Sequence, residues 1–216
     1  MGHQLATRTG GASEREQSVL AMLRALVPNR PLSAGEALRI AELQANHLLH
    51  HFEIETNAVP EEVVSELPRV RVFREEGLLV SGAAHWNGRH WIISVNADEP
   101  IFRQRFSVMH EFKHVLDHTT KQFLYHDRPF QTADEQAERV ADYFAACLLM
   151  PKRVVKRLWC QGNQNMVELA KTLLVSTRAI HYRLDQLGLL EPPTRCRRVS
   201  AGYANRVSRP TTAGRA

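Results

Sequence analysis

The sequence predicts an α+β fold, with a small antiparallel β-sheet packed on a helical group and a pair of short helices at the C-terminal end. Three observations predict it. Apolar residues recur at helical spacing over residues 33–51, 98–118 and 132–150. Between the first two of these, over residues 69–96, Val70, Val72, Leu78, Val80, Trp91, Ile93 and Val95 alternate or cluster as strand residues do. Asn87-Gly88 separates the last two strand runs, and that dipeptide tolerates the positive φ angles of a tight hairpin turn.

The elements follow in order. Residues 1–12 are polar and glycine-containing and read as disordered. Ser13 and Glu16 form a capping box that opens a helix ending near Val27, before Pro28. A second helix spans about Ser33–His51, with Ala37, Leu38, Ala41, Ala45, Leu48 and Leu49 on one face. After the strands, Asp98 is read as the N-cap of a helix running to about His118. Thr120–Pro129 reads as a loop. Thr132 and Glu135 form a second capping box, opening a helix that ends at Met150-Pro151. Two short helices follow at about 165–174 and 177–187, with Ser176 as the cap between them, and the tail after Pro192-Pro193 reads as disordered.

Composition excludes several classes. Hydrophobic residues make up 44% of the 216, enough for a substantial core. No apolar run approaches the roughly 18 residues of a membrane span, and the N-terminus has no signal-peptide core. Three cysteines, Cys147, Cys160 and Cys196, form no disulfide framework and read as reduced thiols, so a cytoplasmic protein is expected. The formal charge is +5, with Arg195, Arg197, Arg198, Arg206, Arg209 and Arg215 in the tail, which reads as a solvated basic segment.

The chemistry is concentrated in His110-Glu111-Phe112-Lys113-His114. Each helical residue turns the chain by about 100°, so positions i and i+4 share a face and two imidazoles converge on one ion. Glu111 lies about 80° from the midpoint of that pair, where a base stands to take a proton from water. A catalytic zinc site needs a third ligand on a separate element and an open fourth position. Glu138 and Asp142, at i and i+4 on the next long helix, supply two acids. Glu138 is assigned as the ligand and Asp142 as the acceptor that fixes the tautomer of a ligand histidine. Glu135 is a rival ligand, already occupied in its capping box. His118 continues the series but cannot complete a tetrahedron from the same straight helix, and is expected to interact with the helix C-terminus.

Arg105–His118 resembles the signature helix of the ImmA/IrrE metallopeptidases, and Glu138–Pro151 their acid-plus-Phe-Ala-x-x-Leu-Leu-Met-Pro helix. Leu169–Gly188 is similar to their helix-turn-helix-like segment, so the likeness covers about residues 35–190. The resemblance implies a zincin-like, zinc-dependent endopeptidase that cleaves a helix-turn-helix (XRE-like) repressor, as an anti-repressor of a mobile element or stress operon. It carries the ligand roles onto His110, His114 and Glu138 and the base role onto Glu111. Two residues depart from that family's pattern: Lys113 stands where glycine is usual and Asp142 where asparagine is common. By helical angle Lys113 either flanks the metal or bends to solvent. Tyr125, His126 and Tyr143 are candidates for polarising the scissile carbonyl.

The expected organisation is a tail over 1–12, a peptidase domain over 13–162, a helical subdomain over 163–192 and a basic tail over 193–216. Two other readings compete. A non-catalytic, zinc-containing regulator would bind DNA or a repressor through residues 163–192, with Arg178, His181 and Arg183 on the second short helix. A purely structural zinc module would need a fourth protein ligand and no base, and Glu111 argues against it.

Overall fold

The computed structural model describes residues 19–126 and 131–190. The capping box at Ser13–Glu16, both tails, Cys196 and loop residues 127–130 lie outside the described residues. The described residues open on helix α1, over residues 19–25. Helix α2 spans Ala34–His51, and Ser33 closes a capping box with Glu36 at its start. A single turn, α3 (Glu62–Ser65), leads into strands β1 (Val70–Glu75), β2 (Gly82–Trp86) and β3 (Trp91–Asn96). Helices α4 (Ile101–Asp117), α5 (Lys121–Leu124), α6 (Ala133–Leu149), α7 (Lys152–Cys160), α8 (Met166–Leu173) and α9 (Thr177–Gln186) complete the order.

The fold is α+β, but its sheet is mixed rather than antiparallel. The strand order is β1-β3-β2, with β1 parallel to β3 and β2 antiparallel to it. β3 takes the centre because it is the most strictly alternating strand: Trp91, Ile93 and Val95 are all buried. A central strand loses solvent on both edges, so the most apolar strand gains most there. Alternation sets which face is buried but carries no information about strand order.

The expected hairpin forms between β2 and β3. Gly88 adopts φ 92°, as the turn requires. Asn87 contributes through its side chain instead, whose Oδ1 accepts from the backbone N–H of Arg89 and His90 at 3.0 and 2.8 Å.

Four further expectations need correction. Leu78 and Val80 lie in the β1–β2 loop, not in a strand. Asp98 does not cap α4: its carboxylate accepts from Gly77 N–H at 2.8 Å, and Pro100 occupies the cap position without a side-chain bond. The segment after His118 contains the turn α5. Helix α7 was not anticipated, because Lys152, Arg153, Lys156 and Arg157 mask the buried stripe of Val154, Val155 and Leu158.

One core joins these parts. Helix α6 packs against α2 and α4, and α4 packs against β2 and β3. Phe112 and Phe144 meet at the α4–α6 contact, with ring centroids 6.2 Å apart. Leu169, Leu173, Ile180 and Leu184 of α8 and α9 belong to the same buried cluster. Arg183 is 1% exposed and donates to the carbonyl of Met150 at 3.1 Å, tying α9 to the end of α6. It is therefore withdrawn from the exposed basic face expected of α9, while Arg178 and His181 remain on the surface. No helix among the described residues is long and apolar enough to cross a membrane.

Candidate metal centre

Helices α4 and α6 bring His110, His114 and Glu138 together across their contact. The Nε2 atoms of His110 and His114 are 3.0 Å apart. Glu138 places one carboxylate oxygen 3.1 Å from His110 Nε2 and the other 3.2 Å from His114 Nε2. A tetrahedral ion with bonds of about 2.0–2.1 Å has ligand–ligand edges of about 3.3–3.4 Å, so the three donors are spaced to hold one such cation. Among the described residues these three are the group that could hold a metal ion. Glu135 is elsewhere engaged, its carboxylate accepting from the backbone N–H of Thr132 at 2.8 Å.

Asp142 sits behind His110, with Oδ1 2.9 Å from Nδ1. A carboxylate there holds the proton on Nδ1 and leaves the Nε2 lone pair free. That lone pair then faces carboxylate oxygen, an apposition that only a cation or a shared proton relieves. Burial pulls the His110 pKa down, but the Asp142 bond and the Asp142, Glu111 and Glu138 carboxylates outweigh it, so the net direction is up. His114 goes the other way: burial and then the charge of His110 lower its pKa against Glu138 and Asp117. Asp142→Ala is expected to weaken metal affinity by roughly 10–100-fold, and Asp142→Asn by less, since an amide oxygen still accepts from imidazole. Competition with a chromogenic chelator measures this; equal affinity in all three forms would place Asp142 outside the site.

Glu111 lies beside the triad on the strand side. Burial raises its pKa, Glu138 adds to the rise and His110 opposes it. Gly82, at the start of β2, makes room for it: a Cβ at position 82 would stand 3.0 Å from Glu111 Cγ and 3.2 Å from its Oε1. The helix and the strand thus close on the carboxylate from two sides. A cleft of about 670 Å³ runs past the four residues, lined also by Val80, Ser81, Ala84 and Phe106.

Lys113 neither flanks the triad nor reaches solvent. It is 2% exposed, and its Nζ lies 2.5 Å from Asp117 Oδ1 and 2.9 Å from Gln44 Oε1. Tyr125 donates to the other Asp117 oxygen at 2.7 Å. This closed network ties α4 to α2 and to the residue after α5, and it answers the family departure at this position: the ammonium is neutralised in the core. Removing one member of a buried pair costs about 3–5 kcal/mol. Lys113→Met is expected to lose stability of that order in urea unfolding while still binding metal; an unchanged midpoint would show the pair to be energetically silent.

The network also removes Tyr125 from the list of carbonyl-polarising candidates, because its hydroxyl is buried on Asp117. Tyr143 is likewise engaged, donating to Glu42 at 3.3 Å. His126 is exposed and outside the cleft lining, where Arg103, His118 and Lys121 stand instead. Lys121 is fixed by Asp134 at 2.7 Å. His118 occupies the C-cap position of α4, and its ring packs against Trp91 with centroids 4.8 Å apart.

The family model of the IrrE N-terminal-like domain (peptidase M78) matches residues 68–185. The chain belongs to that family. The match starts just before β1 and ends within α9, so it contains the sheet, α4, α6 and the two short helices. At family level this indicates a metallopeptidase-type hydrolase. A solved structure described as a Mycobacterium tuberculosis transcriptional regulator is similar over 80% of this chain and 51% of that one, with a TM-score of 0.52 and 14% identity. The chain spans about half the length of that protein, and at this identity the likeness is one of fold. No curated protein matches the chain.

Sequence reasoning missed Gly82, Lys121 and Asp117. Gly82 had a usable signal, a lone glycine in a strand-forming run, which marks close approach of another group. Asp117 is the last residue of α4, and Lys121 opens the separate turn α5, which the loop reading after His118 hid.

Proposed function

We propose that the chain is a zinc-dependent endopeptidase in which His110, His114 and Glu138 bind the metal and Glu111 is the general base. The observation that carries this reading is the convergence of two imidazole nitrogens and a carboxylate at 3.0–3.2 Å, with an ionisable carboxylate beside them in a cleft. A zinc ion held there would supply Lewis acidity to a scissile carbonyl or a water. Glu111, with its pKa raised by burial, is poised to accept a proton from a water in the cleft and return it to the leaving amine. Asp142 orients His110. The substrate is a protein segment in extended form, since β2 pairs on one side only among the described strands and its residues wall the cleft.

Family membership and the similar fold of a transcriptional regulator favour a regulator protein as the partner; the substrate proposed is a helix-turn-helix repressor, docked by α8 and α9, in the cytoplasm. The reading in which α8 and α9 bind DNA directly is weakened by the burial of Arg183. The test is incubation of the zinc-loaded chain with helix-turn-helix repressors from its own genome. A discrete fragment, absent with Glu111→Gln, is expected; intact repressor in every case would remove the peptidase reading.

A further inference from the structure

The β1–β2 loop, residues 76–81, presents two apolar side chains to solvent at the mouth of the cleft. Leu79 is 102% exposed and Val80 54%. A floppy loop would hide such residues at little cost, but four hydrogen bonds tie this one to residues 96–99. Gly77 N–H donates to Asp98 at 2.8 Å, and Asn96 Nδ2 donates to the carbonyl of Leu78 at 3.0 Å. Asn96 N–H donates to the carbonyl of Ser81 at 3.1 Å, and the Ser81 hydroxyl donates to Glu99 at 2.7 Å. These bonds anchor the chain at Gly77, Leu78 and Ser81, on either side of Leu79 and Val80.

Val80 itself lines the cleft that contains Glu111, together with Phe106. The Arg103 guanidinium covers the Phe106 ring at 5.9 Å from its centroid. The apolar lip is therefore continuous with the catalytic cleft, and two residues further on the chain becomes the edge strand β2. Single exposed apolar residues need no explanation, but a rigidly presented pair adjoining a cleft marks a contact surface.

We infer that Leu79 and Val80 form a specificity lip that selects an extended protein substrate carrying an apolar side chain at a fixed distance from the cut bond. This rests on the peptidase reading and names the selectivity of the same cleft. A segment lying along β2 and past Glu111 runs over the lip, where one apolar side chain covers both residues. The binding gain falls on substrate recognition and not on the bond-making step, so it is read in KM.

The test uses a proteome-derived peptide library with the full chain loaded with zinc. Wild type is expected to cut at sites sharing an apolar residue at one position. The Leu79→Ser/Val80→Ser double variant is expected to lose that preference and to raise KM on a preferred peptide by 10-fold or more, with kcat, zinc content and melting temperature unchanged. Leu43→Ser, at an exposed apolar residue of α2, should keep the preference. Capture of library peptides by zinc-loaded Glu111→Gln gives the same comparison without turnover, the lip variant losing the apolar enrichment. If wild type neither cuts nor captures, the peptidase reading falls. If it cuts and the double variant keeps both preference and KM, the lip inference alone falls.

Discussion

Glu111→Gln is expected to abolish peptide hydrolysis while leaving bound zinc and the folded structure unchanged. The amide has the shape of the carboxylate but cannot accept a proton, so the substitution deletes one function. General-base catalysis contributes about 10²–10⁴-fold, and a loss in that range or beyond is the expected size. The surroundings make the substitution clean. Glu111 is not one of the three converging donors, and it belongs to no ion pair among the described residues. The room that Gly82 leaves is filled by the Cγ and Oε1 positions of Glu111, which glutamine reproduces. Replacing a half-buried carboxylate whose pKa is already raised by burial also relieves desolvation, so stability should hold or rise. Elemental analysis and a single-turnover cleavage assay measured side by side decide it. A variant that retains zinc and cleaves at the wild-type rate would show that Glu111 is not the base.

The parts of this site that obey a local rule were legible in the sequence. His110 and His114 share a helix face by arithmetic alone, and Thr132–Glu135 announces α6, whose i, i+4 acids Glu138 and Asp142 then point the same way. What α4 and α6 do together was less legible, because nothing in either helix states their separation. The structure supplies it through the Phe112–Phe144 contact. The strand order was not legible for the reason that period-2 patterns fix faces and not neighbours. Lys113 failed for a different reason. Helical angle set it beside the metal, whereas it turns into the core, to a glutamine on α2 and an aspartate one turn on. A buried lysine is explained only by the partners that tertiary packing brings, and sequence alone shows a charge where solvent is the default.

His110→Ala, His114→Ala and Glu138→Ala are each expected to lose bound zinc at stoichiometric protein concentration. Three protein ligands leave no redundancy, and no fourth donor stands ready among the described residues. Asp142 cannot substitute, since its Oδ1 faces Nδ1 of His110 on the far side of the ring from the triad. Glu135 cannot without breaking the capping box that starts α6, which would cost about 1 kcal/mol and unravel the first turn. The loss has a second readout independent of activity. Zinc at 100 times its dissociation constant stabilises the folded chain by about 2.7 kcal/mol, and a domain of this size responds by about 2–4 °C per kcal/mol. A chelator should therefore lower the wild-type melting temperature by about 5–10 °C and leave that of each alanine variant where it stands. Removing Glu138 also strips a carboxylate from between two imidazoles, so this variant alone lets both rings meet without a counter-charge. Full zinc in Glu138→Ala, with the chelator shift intact, would move the third ligand off α6 residue 138 and overturn the site as drawn.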